Sequence, residues 1–217
     1  MGERLKLLPH QAYAPEQEET DPLRFYYWPI LGPLYRQRVE LALNECQGGE
    51  CILEVGYGSG ITFLNLSEKY KQIFGIDLFA DAELNTKFWN KHGLSPTLRR
   101  GDLLRLPYPD NTFDTVLLIS ILEHIQVAQQ PVAMREIHRV LKKGGQMVYG
   151  VPVERSLMAA VFKVLGVKIR EHHFSTENDV AQAAQAVFTK KRIVPMKSSI
   201  PFIGPIYEVG NFIKHRP

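Results

Sequence analysis

The chain lacks most of what marks a secreted, metal-bound or membrane-spanning protein. Two cysteines occur in 217 residues, Cys46 and Cys51. Neither stands in a metal-ligand spacing, so no disulfide framework and no metal site are expected, and reduced thiols are the expected state. No apolar run approaches the ~20 residues needed to span a bilayer. The first ten residues are charged and broken by Pro9, unlike a signal peptide, and Lys6 stands where a myristoylation site needs Ser or Thr. A cytoplasmic location is the resulting expectation. No repeat or low-complexity segment is visible.

What remains is an ordinary globular composition, 45% hydrophobic, 23% charged and 10% aromatic. That is enough for one good core in a single domain. The net charge of +3 is unevenly placed, with nine Lys and Arg against four Asp and Glu over residues 163–217. Such a basic third is an ordinary solvated face, or else favours an anionic substrate, a membrane surface or nucleic acid.

One stretch organises the rest: Cys51-Ile52-Leu53-Glu54-Val55-Gly56-Tyr57-Gly58-Ser59-Gly60. Residues 51–55 are apolar and too short for a helix, so they read as a strand buried on both faces. Gly56, Gly58 and Gly60 let the backbone turn tightly and approach a ligand with no Cβ in the way. Residues 61–70, with Ile61, Leu64 and Tyr70 on one side, read as the helix that follows. Strand, glycine turn and helix form the first unit of an open α/β sheet, whose ligands sit at the carboxyl ends of the strands. A dinucleotide fingerprint needs a third glycine where Ile61 stands, which disfavours a nicotinamide-linked oxidoreductase. A tight turn in some other α/β protein, with Glu54 a solvated strand end, is the plain alternative.

Further along, residues 1–22 are polar, rich in Pro and Glu and without period, and read as a loose N-terminal arm. Residues 25–31, with Tyr26, Tyr27 and Trp28, are too apolar to be left in water. With an amphipathic helix over residues 34–43, they form a cover spanning 23–47 of a domain that runs from 23 to 217. A second strand over 73–76 ends at Asp77, and a carboxylate about 20 residues beyond the glycine turn is placed to accept both ribose hydroxyls. Capping the next helix, 80–91, is the competing role for Asp77. A third strand over 97–99 leads to Gly101-Asp102-Leu103, and a fourth over 115–119 ends at Ile119-Ser120. Pro131 opens a helix to Leu141 that Gly144 and Gly145 stop, and residues 146–151 form a fifth strand. Residues 153–170 carry an apolar helical insertion including Met158 and Phe162. It reads as a helix packed on the sheet, a lid over an apolar substrate, or a weak membrane-surface contact. A helix over 176–187, with Thr176 and Asp179 in capping-box spacing, and strands over 192–198 and 206–213 complete the chain.

The glycine stretch resembles the first motif of class I S-adenosylmethionine-dependent methyltransferases, an acid followed by three alternate glycines. The resemblance narrows at Leu106-Pro107-Tyr108-Pro109-Asp110-Asn111-Thr112-Phe113-Asp114, at Leu122-Glu123-His124, and at the run from Arg135 through Leu141-Lys142-Lys143-Gly144-Gly145. Together these are similar to the type 11 group, related to the ubiquinone and menaquinone biosynthesis methyltransferases, over residues 45–152. Lys143 replaces the usual Pro, and Tyr57 a frequent Cys or Ala. The resemblance implies a Rossmann-like three-layer α/β/α sandwich whose mostly parallel seven-stranded sheet has its last strand antiparallel. It implies S-adenosyl-L-methionine as cofactor. Gly56 then lies closest to its methionine part, and Glu54 helps hold the ammonium group. Asp77 takes the ribose, Leu78 faces the adenine, and Asp102 and the Leu103 amide contact the adenine edge. Tyr57, Gly58, Gly60, Ile119 and Ser120 line the same site.

Methyl transfer from a sulfonium demands positioning and water exclusion more than a dedicated catalytic side chain. If the acceptor is a hydroxyl or an acidic carbon a general base helps, and His124, His172 and His173 are the candidates. Fixing the local helix, for His124, and surface or capping roles, for the pair, are the plainer readings. The Asn-Pro-Pro-Tyr that grips amino groups of bases and glutamine in related enzymes is missing after the fourth strand, and no aromatic-basic platform is evident. Nucleic acid is therefore disfavoured. The expected acceptor is a small, rather apolar molecule methylated on oxygen or carbon, under a cover that includes Tyr26, Tyr27, Trp28, Met158 and Phe162. A binding or regulatory protein of the same fold without turnover is the rival from another class. The sequence does not determine the oligomeric state.

Overall fold

The computed structural model describes residues 2–21, 23–29, 32–153, 174–197 and 204–215. The expected insertion with Met158 and Phe162, and the pair His172 and His173, lie outside the described residues.

Seven strands form one sheet: β1 (Gly49–Val55), β2 (Tyr70–Asp77), β3 (Thr97–Arg100), β4 (Phe113–Ile119), β5 (Leu141–Pro152), β6 (Thr189–Lys197) and β7 (Pro205–Ile213). Their spatial order is β3-β2-β1-β4-β5-β7-β6. The first five run parallel, and β7 is antiparallel to both β5 and β6. The chain therefore has the expected Rossmann-like sandwich with its last strand reversed. The α-helices among the described residues are α1 (Pro15–Thr20), α2 (Arg24–Tyr27), α3 (Gly32–Glu45), α4 (Phe63–Leu66), α5 (Ala82–Lys91), α6 (Gln130–Val140) and α7 (Glu177–Gln185).

Each face of the sheet has its own core. On one, Ala133, Met134, Ile137 and Val140 of α6, one stripe at helical spacing, pack with Val180 and Ala184 of α7 on Leu53, Val116, Leu118, Met147 and Tyr149. On the other, Val39, Ala42 and Leu43 of α3 join Phe63, Leu66, Trp89, Ile52, Leu117 and Val148. β1 is buried from Ile52 to Val55, as Ile52, Leu53 and Val55 require, and Glu54 is buried with them.

Three local expectations are corrected. The helix after the glycine turn is a single turn, α4, and Tyr70 already belongs to β2. Its hydroxyl donates to Thr115 Oγ1 of β4 at 2.8 Å, so a partner 45 residues away claims the residue for the sheet. Secondly, α6 stops at Val140, and Gly144 and Gly145 lie within β5. Gly144 has φ +78 and donates to Lys214 O, while the Lys214 amide donates to Gly145 O, each at 2.9 Å. Thirdly, Asp81 caps α5, its Oδ1 accepting from the Glu83 and Leu84 amides, each at 2.9 Å. The Thr176–Asp179 capping box at α7 is present in both directions.

The N-terminal segment, expected to be loose, makes specific contacts from Leu5 to Gln17. Leu5, Leu7 and Leu8 rest on the second core, and the Lys6 amide donates to Asn65 Oδ1 at 2.9 Å. Tyr13 stacks on Phe88 with centroids 5.3 Å apart, and Gln17 Nε2 donates to Asn85 Oδ1 at 2.8 Å in a buried contact. These scattered contacts with distant elements have no sequence period, which hid them from a reading by pattern. Among the described residues no helix is long and apolar enough to cross a membrane.

Candidate active site

The carboxyl ends of β1, β2 and β3 lie side by side and carry Glu54, Asp77 and, one residue past Gly101, Asp102. Backbone bonds extend the ladder past the strand ends. Gly56 N donates to Ile76 O at 2.7 Å, and Gly101 N to Asp77 O at 2.9 Å. The three acids expected at the site are thus brought to one rim of the sheet.

Asp77 is the knot of that rim. Its Oδ2 accepts from the Gly58 amide at 3.0 Å, and its Oδ1 from the Phe79 and Ala80 amides at 2.8 and 3.0 Å. The helix-capping alternative falls to Asp81, so Asp77 instead binds the glycine turn to the loop after β2. Gly56 needs its missing side chain twice over: its φ is +73, and a Cβ there would meet Ile121 Cδ1 at 2.0 Å. Gly60, at φ +75, would drive a Cβ to 2.6 Å from the Phe63 and Trp89 rings.

The two halves of the rim differ. Around the glycine turn it is closed: Glu54 is 3% exposed and accepts from Thr62 Oγ1. Burial pushes its carboxyl up to about 8; the Thr62 hydrogen bond opposes this, and repulsion from Asp21 and Asp77 adds to it. Asp21, from the N-terminal segment, accepts from Ser59 Oγ at 2.7 Å across the turn. Tyr57 is turned into the core against Gly75 and Phe63, so only its backbone faces the rim. The other half is open. Leu78 and Phe79 are 47% and 76% exposed, and Asp102 is exposed beside buried Leu103, capping the next turn through the Leu104 amide at 2.9 Å.

On the far side of β1, Ile119 ends β4 and Ser120 adopts φ +57, rare for a residue with a side chain. Its Oγ sits between Arg38 Nη1 at 3.2 Å and Tyr207 Oη at 3.0 Å. Tyr26, expected as substrate cover, is buried and receives Arg38 Nη2 at 2.8 Å. Tyr27 donates to Leu8 O. Trp28 remains 46% exposed beside a cleft of about 400 Å³ that it lines with Arg24, Phe25 and Tyr27. His124 lies on the surface in a short turn after β4.

Arg38, Tyr207 and Asp21 escaped the sequence reading. Arg38 belongs to the helix read there as amphipathic, and it falls three residues after Tyr35 and four before buried Ala42. No local signal marks Tyr207 or Asp21, whose importance comes from partners far along the chain.

The closed half does not stop the rim from fitting a nucleoside with a charged tail. Exposed apolar side chains suit a base, and the Asp77 and Asp102 carboxylates are acceptors suited to hydroxyl and amino donors, while Ile121 occupies the space over Gly56. Among the described residues no group of His, Cys, Asp and Glu has a metal-holding arrangement.

Residues 53–149 match the family described as "Methyltransferase domain", of type 11. An uncharacterized methyltransferase of Geobacillus thermodenitrificans is 27% identical over 127 residues, which cover 58% of each chain. The N-methyltransferase NodS of Bradyrhizobium japonicum WM9, solved with S-adenosyl-L-homocysteine, superposes with a TM-score of 0.68 at 18% identity, over 94% of this chain and 99% of its own. The [4+2]-cyclase SpnF superposes with a TM-score of 0.70 at 17% identity, over 99% of both chains. At those identities the likeness is one of fold. The chain spans about half the length of the first curated relatives it matches, 43% and 58%.

Proposed function

We propose that this protein transfers the methyl group of S-adenosyl-L-methionine, the cofactor of the type 11 methyltransferase domain that residues 53–149 match, to a small, largely apolar acceptor, at oxygen or carbon. The observation that carries the reading is the hydrogen bond from Gly58 to Asp77, which locks the glycine turn and the acid after β2 into one cradle.

When bound, the cofactor supplies an activated methyl on a sulfonium, together with its own leaving group. This chain's residues supply place and dryness. Asp77 receives the ribose hydroxyls, while Leu78 and Phe79 offer the adenine an apolar surface and Asp102 an acceptor. Gly56 and Gly58 allow the backbone to lie against the methionine part, once the Ile121 side chain leaves its seat over Gly56. Glu54 faces the ammonium group, and that positive charge favours its ionised form. The cover built from Tyr26, Tyr27 and Trp28 excludes water from the acceptor side. His124, on the surface, is a positioning residue of its turn rather than a base in this reading. The missing Asn-Pro-Pro-Tyr and the lack of a stacking platform speak against nucleic acid as acceptor, and the domain needs no second subunit to form the cradle.

Titration with S-adenosyl-L-homocysteine tests the proposal. Micromolar binding with a rise in melting temperature is expected. No heat and no shift at millimolar ligand, or a larger shift with NAD, overturns it. Cofactor turnover with cell extract as acceptor source then separates an enzyme from a protein that only binds.

A further inference from the structure

Arg38 of α3 is set among groups that cannot balance its charge. It donates to Tyr26 Oη and Ser120 Oγ, and its guanidinium carbon stands 4.5 Å from the Tyr35 ring centroid and 5.6 Å from that of Tyr26. All these neighbours are neutral. Tyr26 and Tyr207 are 2% and 5% exposed, and burial drives both phenols far above their usual range. The Arg38 Nε is buried and has no hydrogen-bond partner among the described residues, and no described carboxylate forms an ion pair with the guanidinium.

A half-buried cation without a counter-charge is costly, and an arginine fork with an unused N–H is shaped for a bidentate carboxylate. The place of the cluster says which molecule brings that carboxylate. Ser120 N donates to Gly150 O at 2.8 Å, and a Cβ at Gly150 would meet Tyr207 Oη at 2.5 Å. Tyr207 itself pairs with Pro152 at the end of β5. The guanidinium therefore overlies β4, β5 and β7, whereas the adenosine-facing residues belong to β1, β2 and β3. We infer that Arg38, framed by Tyr26, Ser120 and Tyr207, receives a carboxylate of the methyl acceptor. The acceptor class narrows to an acid with an apolar body. The inference rests on the methyltransferase reading for the word acceptor, but the anion site stands on its own geometry.

The test uses the full chain, with and without saturating S-adenosyl-L-homocysteine, and the probes benzoate and decanoate against benzamide and decanamide. The wild type is expected to bind each acid at least tenfold more tightly than its amide, with a matching rise in melting temperature. Arg38→Gln should lose that preference and keep its affinity for S-adenosyl-L-homocysteine within threefold; Arg38→Lys should keep part of the preference. Equal binding of acid and amide to the wild type overturns the inference. So does a tenfold loss of S-adenosyl-L-homocysteine in Arg38→Gln when its decarboxylated analogue binds both proteins alike, since the guanidinium then holds the cofactor's own carboxylate. Should S-adenosyl-L-homocysteine fail to bind the wild type, the methyltransferase reading falls, while the unloaded titrations still decide whether Arg38 selects acids.

Discussion

The Asp77 carboxylate accepts the backbone hydrogen of Gly58 at 3.0 Å, so the end of β2 and the glycine turn after β1 move as one body. Replacing Asp77 by Ala strips an acceptor from three amides at once. Asp77→Ala is expected to weaken S-adenosyl-L-homocysteine binding at least tenfold and to cost about 1–3 kcal/mol of stability. Asp77→Asn, which keeps one carbonyl oxygen, should recover part of the stability but little of the affinity. Calorimetric titration and urea unfolding of both variants check this; unchanged affinity in Asp77→Ala removes the residue from the cofactor site.

Glu54 predicts how the ligand-free protein responds to pH. Its folded carboxyl titrates at about 8 against an ordinary 4.5, so the folded state keeps a proton that the unfolded chain releases. The stabilisation is complete below pH 4.5 and is lost as pH climbs to about 8, a change on the order of 5 kcal/mol. Glu54→Gln should flatten that slope. Because the ammonium group of the ligand favours the carboxylate, S-adenosyl-L-homocysteine binding should release a proton near neutrality and tighten as pH rises from 6 to 8. Titrations in buffers of different ionisation heat measure the proton directly.

The glycines make separable claims. Gly60→Ala forces a Cβ onto two rings that are fully buried, Phe63 and Trp89, and is expected to cost roughly 3 kcal/mol or to prevent folding. At Gly56 the obstacle is one isoleucine side chain, which can be trimmed. Ile121→Ala should therefore rescue part of the loss in Gly56→Ala, leaving the roughly 1 kcal/mol that positive φ imposes. A double-mutant cycle by chemical unfolding reads the coupling, and additivity of the two changes would contradict the packing.

Arg139 holds the segment between β3 and β4. It donates to Leu106 O, Tyr108 O and Asp110 Oδ1 at 2.9, 2.7 and 2.9 Å, while Glu136 grips its Nε and Nη2. Arg139→Lys cannot reproduce that fork and is expected to lower stability by about 1–3 kcal/mol with cofactor affinity nearly unchanged. Thermal unfolding beside a binding titration checks the split.

The parts of the molecule visible in the sequence are those whose cause is local. The apolar run to Val55, the alternate glycines, the stripe on α6 and the Thr176 capping box each carry their reason within a few residues, and the strand order follows from the family pattern. What the sequence concealed depends on distant partners. Tyr70 joins the sheet because of Thr115, the N-terminal residues are held by Asn65, Phe88 and Asn85, and Arg38 is turned inward by Tyr26 and Ser120. Of the candidate site, the acid-tipped strands were legible. The setting of Arg38 was not, since its partners Tyr26, Ser120 and Tyr207 lie on other elements.

β7 comes after β6 in the chain yet stands between it and β5. During synthesis β6 therefore has no neighbour to join until its successor has emerged, and the edge of β5 stays bare for the same interval. The Tyr207 hydroxyl arrives with that late strand. A chain that has emerged only as far as β6 can thus hold the rim formed by β1, β2 and β3 while Ser120, beside Arg38, still lacks the Tyr207 hydroxyl.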